Sequence, residues 1–164
     1  MTPDISCVGK AMANGYPISA VVGKEKFMKV VEKEVFISST FFPNSTEMAA
    51  SLKTIEILER EKVCDKIWER GTDFLNKLEA IVKKSKLPVK VSGIPPMPFI
   101  TFDSDEAGLY KKRRTLFYTE TIRRGLFIQP FHHWYICYRH TSEDLAKALN
   151  IIEESLLIVA KDLG

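Results

Sequence analysis

Residues 5–23 read Ile5-Ser6-Cys7-Val8-Gly9-Lys10-Ala11-Met12-Ala13-Asn14-Gly15-Tyr16-Pro17-Ile18-Ser19-Ala20-Val21-Val22-Gly23. They hold one charge, Lys10; every other side chain is small, apolar or uncharged. Ile5 to Val8 reads as a short buried strand that breaks at Gly9. Ile18 to Val22 reads as a second, bounded by Gly15-Tyr16-Pro17 and by Gly23. Strands apolar on both faces belong to a parallel or mixed sheet covered by helices, and such a sheet needs more than two strands. A lone lysine just past such a strand is expected to be partly buried. Burial disfavours the ammonium form and leaves an amine that can attack a carbonyl compound. Gly9, Ala11, Ala13 and Gly15 let something flat approach the backbone. The same lysine could also snorkel to the surface from a strand end.

Working outward, Glu25 to Glu34 has helical character, and Val35-Phe36-Ile37 is a short apolar run. Asn44 opens a helix, with Glu47 three residues on as a capping box. Met48, Leu52, Ile55 and Leu58 supply its apolar face. Val63, Ile67, Phe74, Leu78, Ile81 and Val82 continue the period to about Ser85, with a break near Glu61 or Gly71. Val89-Lys90-Val91 and Phe99 to Phe102 read as strands around the turn Gly93-Ile94-Pro95-Pro96. Ala107 to Arg124 reads as a helix that Gly125 ends, with two arginines in its last turn. Leu126 to Ile128 and Trp134 to Tyr138 read as strands. Thr141 and Asp144 form a capping box for a last helix, whose buried stripe is Leu145, Leu149, Ile152, Leu156 and Val159. From about residue 86 the pattern is that of a small α+β domain.

The chain has 164 residues, 45% hydrophobic and 27% charged, which suits an ordinary globular protein and excludes a disordered or collagenous one. A formal charge of +3, with no basic run longer than Lys111 to Arg114, argues against nucleic acid as a partner. That run is expected to be a solvated helix face. No uncharged run reaches the length of a membrane helix, and no signal peptide is recognisable, so the expected location is the cytoplasm. Cys7, Cys64 and Cys137 are scattered in apolar contexts and are expected to be buried, reduced thiols.

The segment PDISCVGKAMANGYPISAVVGK resembles the lysine segment of the class III pyridoxal-phosphate aminotransferases. There a strand ends in Gly-Lys, a glycine-rich turn follows, and then a Tyr/Met-Pro-aliphatic-Ser/Gly-Ala run. SSTFFPNSTEMAASLKTIEILE resembles the family's Thr-Phe-x-x-Asn segment. RRGLFIQP and YRHTSEDL resemble its C-terminal domain. The resemblance covers essentially the whole chain. It implies an α/β fold: the C-terminal half of a fold type I pyridoxal-phosphate-dependent transferase. Residues 1–60 would be a piece of the large cofactor-binding domain with the connecting helix, and residues 61–164 the small α+β domain. It implies that Lys10 carries the cofactor as a Schiff base, and that Thr40 holds the cofactor phosphate in the neighbouring subunit of a homodimer. A threonine hydroxyl in a loop before a helix suits a phosphate, though an ordinary loop threonine looks the same. The implied reaction moves an amino group from a small-molecule donor to a carbonyl acceptor, with pyridoxal 5′-phosphate as the electron sink.

The glutamate-1-semialdehyde aminomutase branch is closest in general pattern. Tyr16-Pro17-Ile18-Ser19-Ala20 departs from that branch's usual Met-Pro-Val-Gly-Ala, which leaves room for a transaminase of an amino acid or a sugar. The family's other cofactor contacts lie upstream of the lysine, and Asp4 is too close to the strand to be the aspartate of the pyridine nitrogen. The chain is therefore expected to be a fragment, inactive in isolation. The rival reading is an α+β interaction module that never meets the cofactor. His132, His133 and His140 match no zinc spacing, and no metal is expected. Arg139 departs from the small residue usual before His-Thr, so no role passes to it. Trp134, Tyr135 and Tyr138 are expected to pack in the core.

Overall fold

Residues 5–23 fold back on themselves as an antiparallel hairpin, a pairing that a mixed sheet admits and a purely parallel one does not. In the computed structural model, which describes every residue except Met1, Ser39, Phe41 and Pro43, β1 (Ile5–Val8) pairs antiparallel with β2 (Ala20–Gly23). The register sets Ile5 opposite Gly23 and Val8 opposite Ala20. A Cβ at Gly23 would collide with the Asp4 carbonyl, so the open end of the hairpin closes only around a glycine. Asp4 and Lys24 join the same end by an ion pair of 2.6 Å. The apolar residues Ile5, Val8, Val21 and Val22 remain exposed. The uniform apolarity of this stretch gave no sign of strand direction.

The chain divides into two units, Met1–Val63 and Cys64–Gly164. In the first, α1 (Glu25–Met28) and a 3-10 turn over Lys29–Glu32 follow the hairpin. Then comes α2 (Ser45–Arg60), capped by Asn44, whose side chain accepts from the Thr46 N–H at 3.3 Å. Glu47 does not close a capping box; one of its carboxylate oxygens is buried without a partner among the described residues. Of the apolar face expected for α2, Met48, Leu52 and Ile55 are exposed. The helical period breaks at Glu61-Lys62, where Lys62 takes a positive φ of 50°. Gly71 lies inside the next helix.

In the second unit α3 (Val63–Ser85) leads to the hairpin of β3 (Val89–Ile94) and β4 (Met97–Phe102), then to α4 (Leu109–Arg123) and α5 (Ser142–Leu163). Helical spacing places Phe74, Leu78 and Val82 on one face of α3, and strand alternation buries Pro98, Ile100 and Phe102 of β4. Phe117 and Tyr118 of α4 and Leu149, Ile152, Leu156 and Val159 of α5 complete this core. Gly71 is the point of closest approach: a Cβ there would collide with the Pro95 carbonyl. The end of α4 has the expected chemistry. Gly125, at φ 88°, donates to the Ile122 carbonyl, and Leu126 donates to that of Thr121, each at 2.9 Å. The Thr141–Asp144 capping box of α5 forms as expected.

The two strands expected after residue 125 are not strands. Residues 126–140 run as irregular chain, yet Trp134 and Ile136 donate to the Pro98 and Pro96 carbonyls, each at 2.9 Å. The segment lies along the outer edge of the hairpin. Proline has no N–H to return, so the reciprocal half of a ladder cannot form. Trp134 is buried as expected and Tyr138 is half-buried, whereas Tyr135 is exposed; Ile136 is buried as well. All three cysteines are exposed free thiols, against the expectation of burial. Cys7 lies on the uncovered β1, Cys64 at the start of α3 and Cys137 in the turn that closes on His140.

Candidate active site

Lys10 opens a 3-10 turn over Lys10–Met12 that leaves β1 through Gly9. The Met12 N–H donates to the Gly9 carbonyl at 3.1 Å. Lys10 itself sits at φ 50°, in the left-handed region, and Asn14 and Gly15 follow at φ 47° and 113°. An L-residue in that region costs about 1–2 kcal/mol, so the turn holds its lysine against an intrinsic preference. Such strain is common where a chain fixes a functional side chain. The turn packs on α2, and Ala13 just beyond it is buried.

The Lys10 side chain is exposed, which corrects the expectation of partial burial. The turn's contact with α2 buries Ala13 and leaves the Lys10 side chain in the open, beside a hairpin whose Ile5, Val8, Val21 and Val22 are exposed too. Lys10 takes part in none of the ion pairs among the described residues, in contrast to Lys24, which is held by Asp4. That pair also gives Asp4 a structural role at the hairpin end.

Thr40 is an exposed turn residue four positions before the Asn44 cap of α2. Its neighbours in the expected motif, Ser39, Phe41 and Pro43, lie outside the described residues. Lys10 and Thr40 belong to the same unit. Taken separately, a primary amine in no ion pair among the described residues suits an aldehyde, and a threonine hydroxyl suits a phosphate.

In the second unit, the Arg70 guanidinium donates to the Tyr138 and His140 carbonyls at 2.8 and 3.0 Å, which fixes the turn carrying Arg139 onto α3. Arg139 is exposed. The basic run of α4 is only partly the solvated face expected. Arg113 donates to the Leu163 carbonyl at 2.7 Å, and Arg114 lies 4.4 Å from the Phe131 ring centre. Glu120 is held below the usual carboxylate range by hydrogen bonds from Arg124 and Arg123. Burial pushes the Tyr118 phenol well above its ordinary value. Among the described residues no group of three or more His, Cys, Asp or Glu is placed to hold a metal ion, and no helix is long and apolar enough to cross a membrane.

The family description "Aminotransferase class-III" matches residues 1–156. The chain belongs to the class III aminotransferases. It is 56% identical over 163 residues to 3-aminobutyryl-CoA aminotransferase of Cloacimonas acidaminovorans, covering 99% of this chain and 39% of that protein. It is 28% identical over 161 residues to glutamate-1-semialdehyde 2,1-aminomutase of Nitratidesulfovibrio vulgaris, covering 92% and 38%. The solved FumI protein of Sphingopyxis sp. MTA144, in its PLP internal aldimine form, superposes with a TM-score of 0.86 at 28% identity, over 98% of this chain and 38% of that one. The chain thus spans about two fifths of the length of the relatives it matches. Its fold is that of the C-terminal half of a pyridoxal-phosphate-dependent transferase, and pyridoxal phosphate is the cofactor of this family.

Proposed function

We propose that this chain forms the C-terminal part of a pyridoxal-phosphate-dependent aminotransferase whose amino donor is a 3-aminoacyl coenzyme A thioester. The observation that carries the choice of substrate is the 56% identity to a 3-aminobutyryl-CoA aminotransferase, twice the 28% found with an aminomutase. The amino group leaves C3 of the acyl chain for a 2-oxo acid, and a 3-oxoacyl thioester and an amino acid result. An interaction module that never meets a cofactor is not favoured by the family to which the chain belongs.

The cofactor, when bound, supplies the electron sink that the side chains lack. Lys10 holds it through its amine and, once released from that duty, moves the proton at the substrate carbon bearing nitrogen. The left-handed backbone at Lys10, held in a 3-10 turn, supports that reading. Thr40 donates its hydroxyl to the cofactor phosphate of the neighbouring subunit. The domain division that fits this reading is a large-domain piece over residues 1–60 and a small domain over 61–164, in a cytoplasmic homodimer.

The full-length enzyme tests the substrate directly. It should convert 3-aminobutyryl-CoA in the presence of a 2-oxo acid and leave glutamate-1-semialdehyde unchanged. Isomerisation of the semialdehyde without any added acceptor would make the enzyme a mutase. Activity belongs to the longer protein and not to the 164 residues alone, because β1, β2 and α2 leave apolar residues uncovered. Transaminase turnover by the isolated polypeptide would overturn that assignment.

Thr40→Val should weaken cofactor binding about ten- to a hundredfold, through loss of a charge-assisted hydrogen bond of about 1.5–3 kcal/mol. A cofactor titration checks it. If the threonine serves the neighbouring site, a mixed dimer of one Thr40→Val and one Lys10→Ala subunit regains one intact site. That dimer should bind cofactor with wild-type affinity at half the sites. Mixed dimers with no such site would place Thr40 in its own subunit's site, and unchanged affinity in Thr40→Val alone would leave it in none.

A further inference from the structure

We propose that the aromatic ledge of residues 127–135, with Arg114, receives the adenine nucleotide end of the coenzyme A thioester. This deepens the reading above and rests on its choice of an acyl-CoA substrate. Three large aromatic side chains, Phe127, Phe131 and Tyr135, stand 76%, 73% and 55% exposed within nine residues. So much aromatic surface in one loop marks a contact site. Arg114 lies 4.4 Å above the Phe131 ring centre. The His132 and His133 rings lie tilted by 35° with centres 4.2 Å apart, and both lie against Tyr135 at 5.7 and 5.0 Å.

The chemistry of this ledge suits a nucleotide better than a second protein surface. Adenine is a flat π system that stacks on aromatic faces and on a guanidinium plane. Coenzyme A adds a diphosphate and a 3′-phosphate, which call for fixed positive charge and N–H donors. Arg114 supplies the charge and the imidazole edges the donors. Two grooves of about 470 and 460 Å³ meet at His132 and His133. No carboxylate lines either one among the described residues. An anionic ligand therefore meets no negative charge in these grooves.

The ledge is also held in place before any ligand arrives. Trp134 and Ile136 are buried and tied to the Pro98 and Pro96 carbonyls, and the Trp134 indole N–H donates to the Gln129 carbonyl at 3.3 Å. Loop ordering on binding then costs little affinity.

The test compares 3-aminobutyryl-CoA with the N-acetylcysteamine thioester of 3-aminobutyrate in the full-length enzyme. Both present the same reacting amine, and only the first carries the nucleotide. In Phe131→Ala and in Arg114→Gln, KM for the coenzyme A thioester should rise about tenfold or more, since each variant removes one stacking or charged contact. The kcat should stay within about twofold, and KM for the short thioester should not move. Inhibition of the wild type by 3′-phosphoadenosine 5′-phosphate should weaken in step. Equal changes with both thioesters, or none with either, would overturn the ledge as a nucleotide site while leaving the acyl-CoA reading intact. A shift in oligomeric state with both thioesters affected alike would make the ledge an interface within the enzyme. Failure of the wild type to use either thioester would remove the acyl-CoA reading and the ledge with it.

Discussion

Lys10→Ala in the full-length enzyme should reduce turnover about ten-thousandfold or more and leave the fold intact. Two functions fall together in this variant. The amine is the only nucleophile proposed to hold the cofactor, and the same amine moves the proton at the substrate carbon. Lys10→Arg should not rescue it, because a guanidinium stays protonated and cannot attack a carbonyl. Stability should barely change. The side chain is exposed, and alanine carries the same left-handed backbone cost as lysine at φ 50°. Rates with saturating cofactor and a thermal melt, measured side by side, separate the two effects. Borohydride reduction of the wild type followed by peptide mass mapping should place the cofactor on Lys10. Near-normal turnover in Lys10→Ala, or an adduct on another lysine, would remove the assignment.

What could be read from the residues divides along physical lines. Helices were legible where a cap, a periodic stripe and a terminator agreed: Thr141 with Asp144 and the stripe to Val159 define α5, and Gly125 ends α4. The β3–β4 hairpin was legible because Gly93 and two prolines mark its turn. The direction of β1 and β2 was not, since a run apolar on both faces carries no alternation to show which neighbour it pairs with. The strands after Gly125 failed for a reason outside their own sequence: the edge they lie on is built from Pro96 and Pro98. Lys10 stood out as the one charge in residues 5–23, but its exposure depends on what covers the hairpin, which local sequence does not encode. The aromatic ledge was hidden because Tyr135 and Trp134 look alike in a pattern. Only the hydrogen bonds to the proline carbonyls show which of them turns inward.

Phe117→Ala should destabilise the unit Cys64–Gly164 by about 3–5 kcal/mol, the usual cost of emptying a fully buried phenylalanine site. Phe117 is 0% exposed and lies 5.7 Å, centre to centre, from the Phe102 ring, which joins α4 to the hairpin. Its removal costs the transfer of the ring out of water and leaves a hole that the surrounding elements cannot readily fill. Beside it, Tyr118 and Thr121 are also buried, and among the described residues the Thr121 hydroxyl is satisfied within its own helix at the Tyr118 carbonyl. Collapse of α4 toward the sheet would have to carry these polar groups along. It would also pull on Arg124, which is tied to Glu120 and to Glu154 of α5. The site is therefore expected to relax little, which puts the loss at the upper end of the range. Phe117→Leu keeps most of the volume and should recover more than half of it. Chemical denaturation of the full-length enzyme and its variants gives both values. A loss below about 1 kcal/mol for the alanine variant would mean that α4 does not close this core.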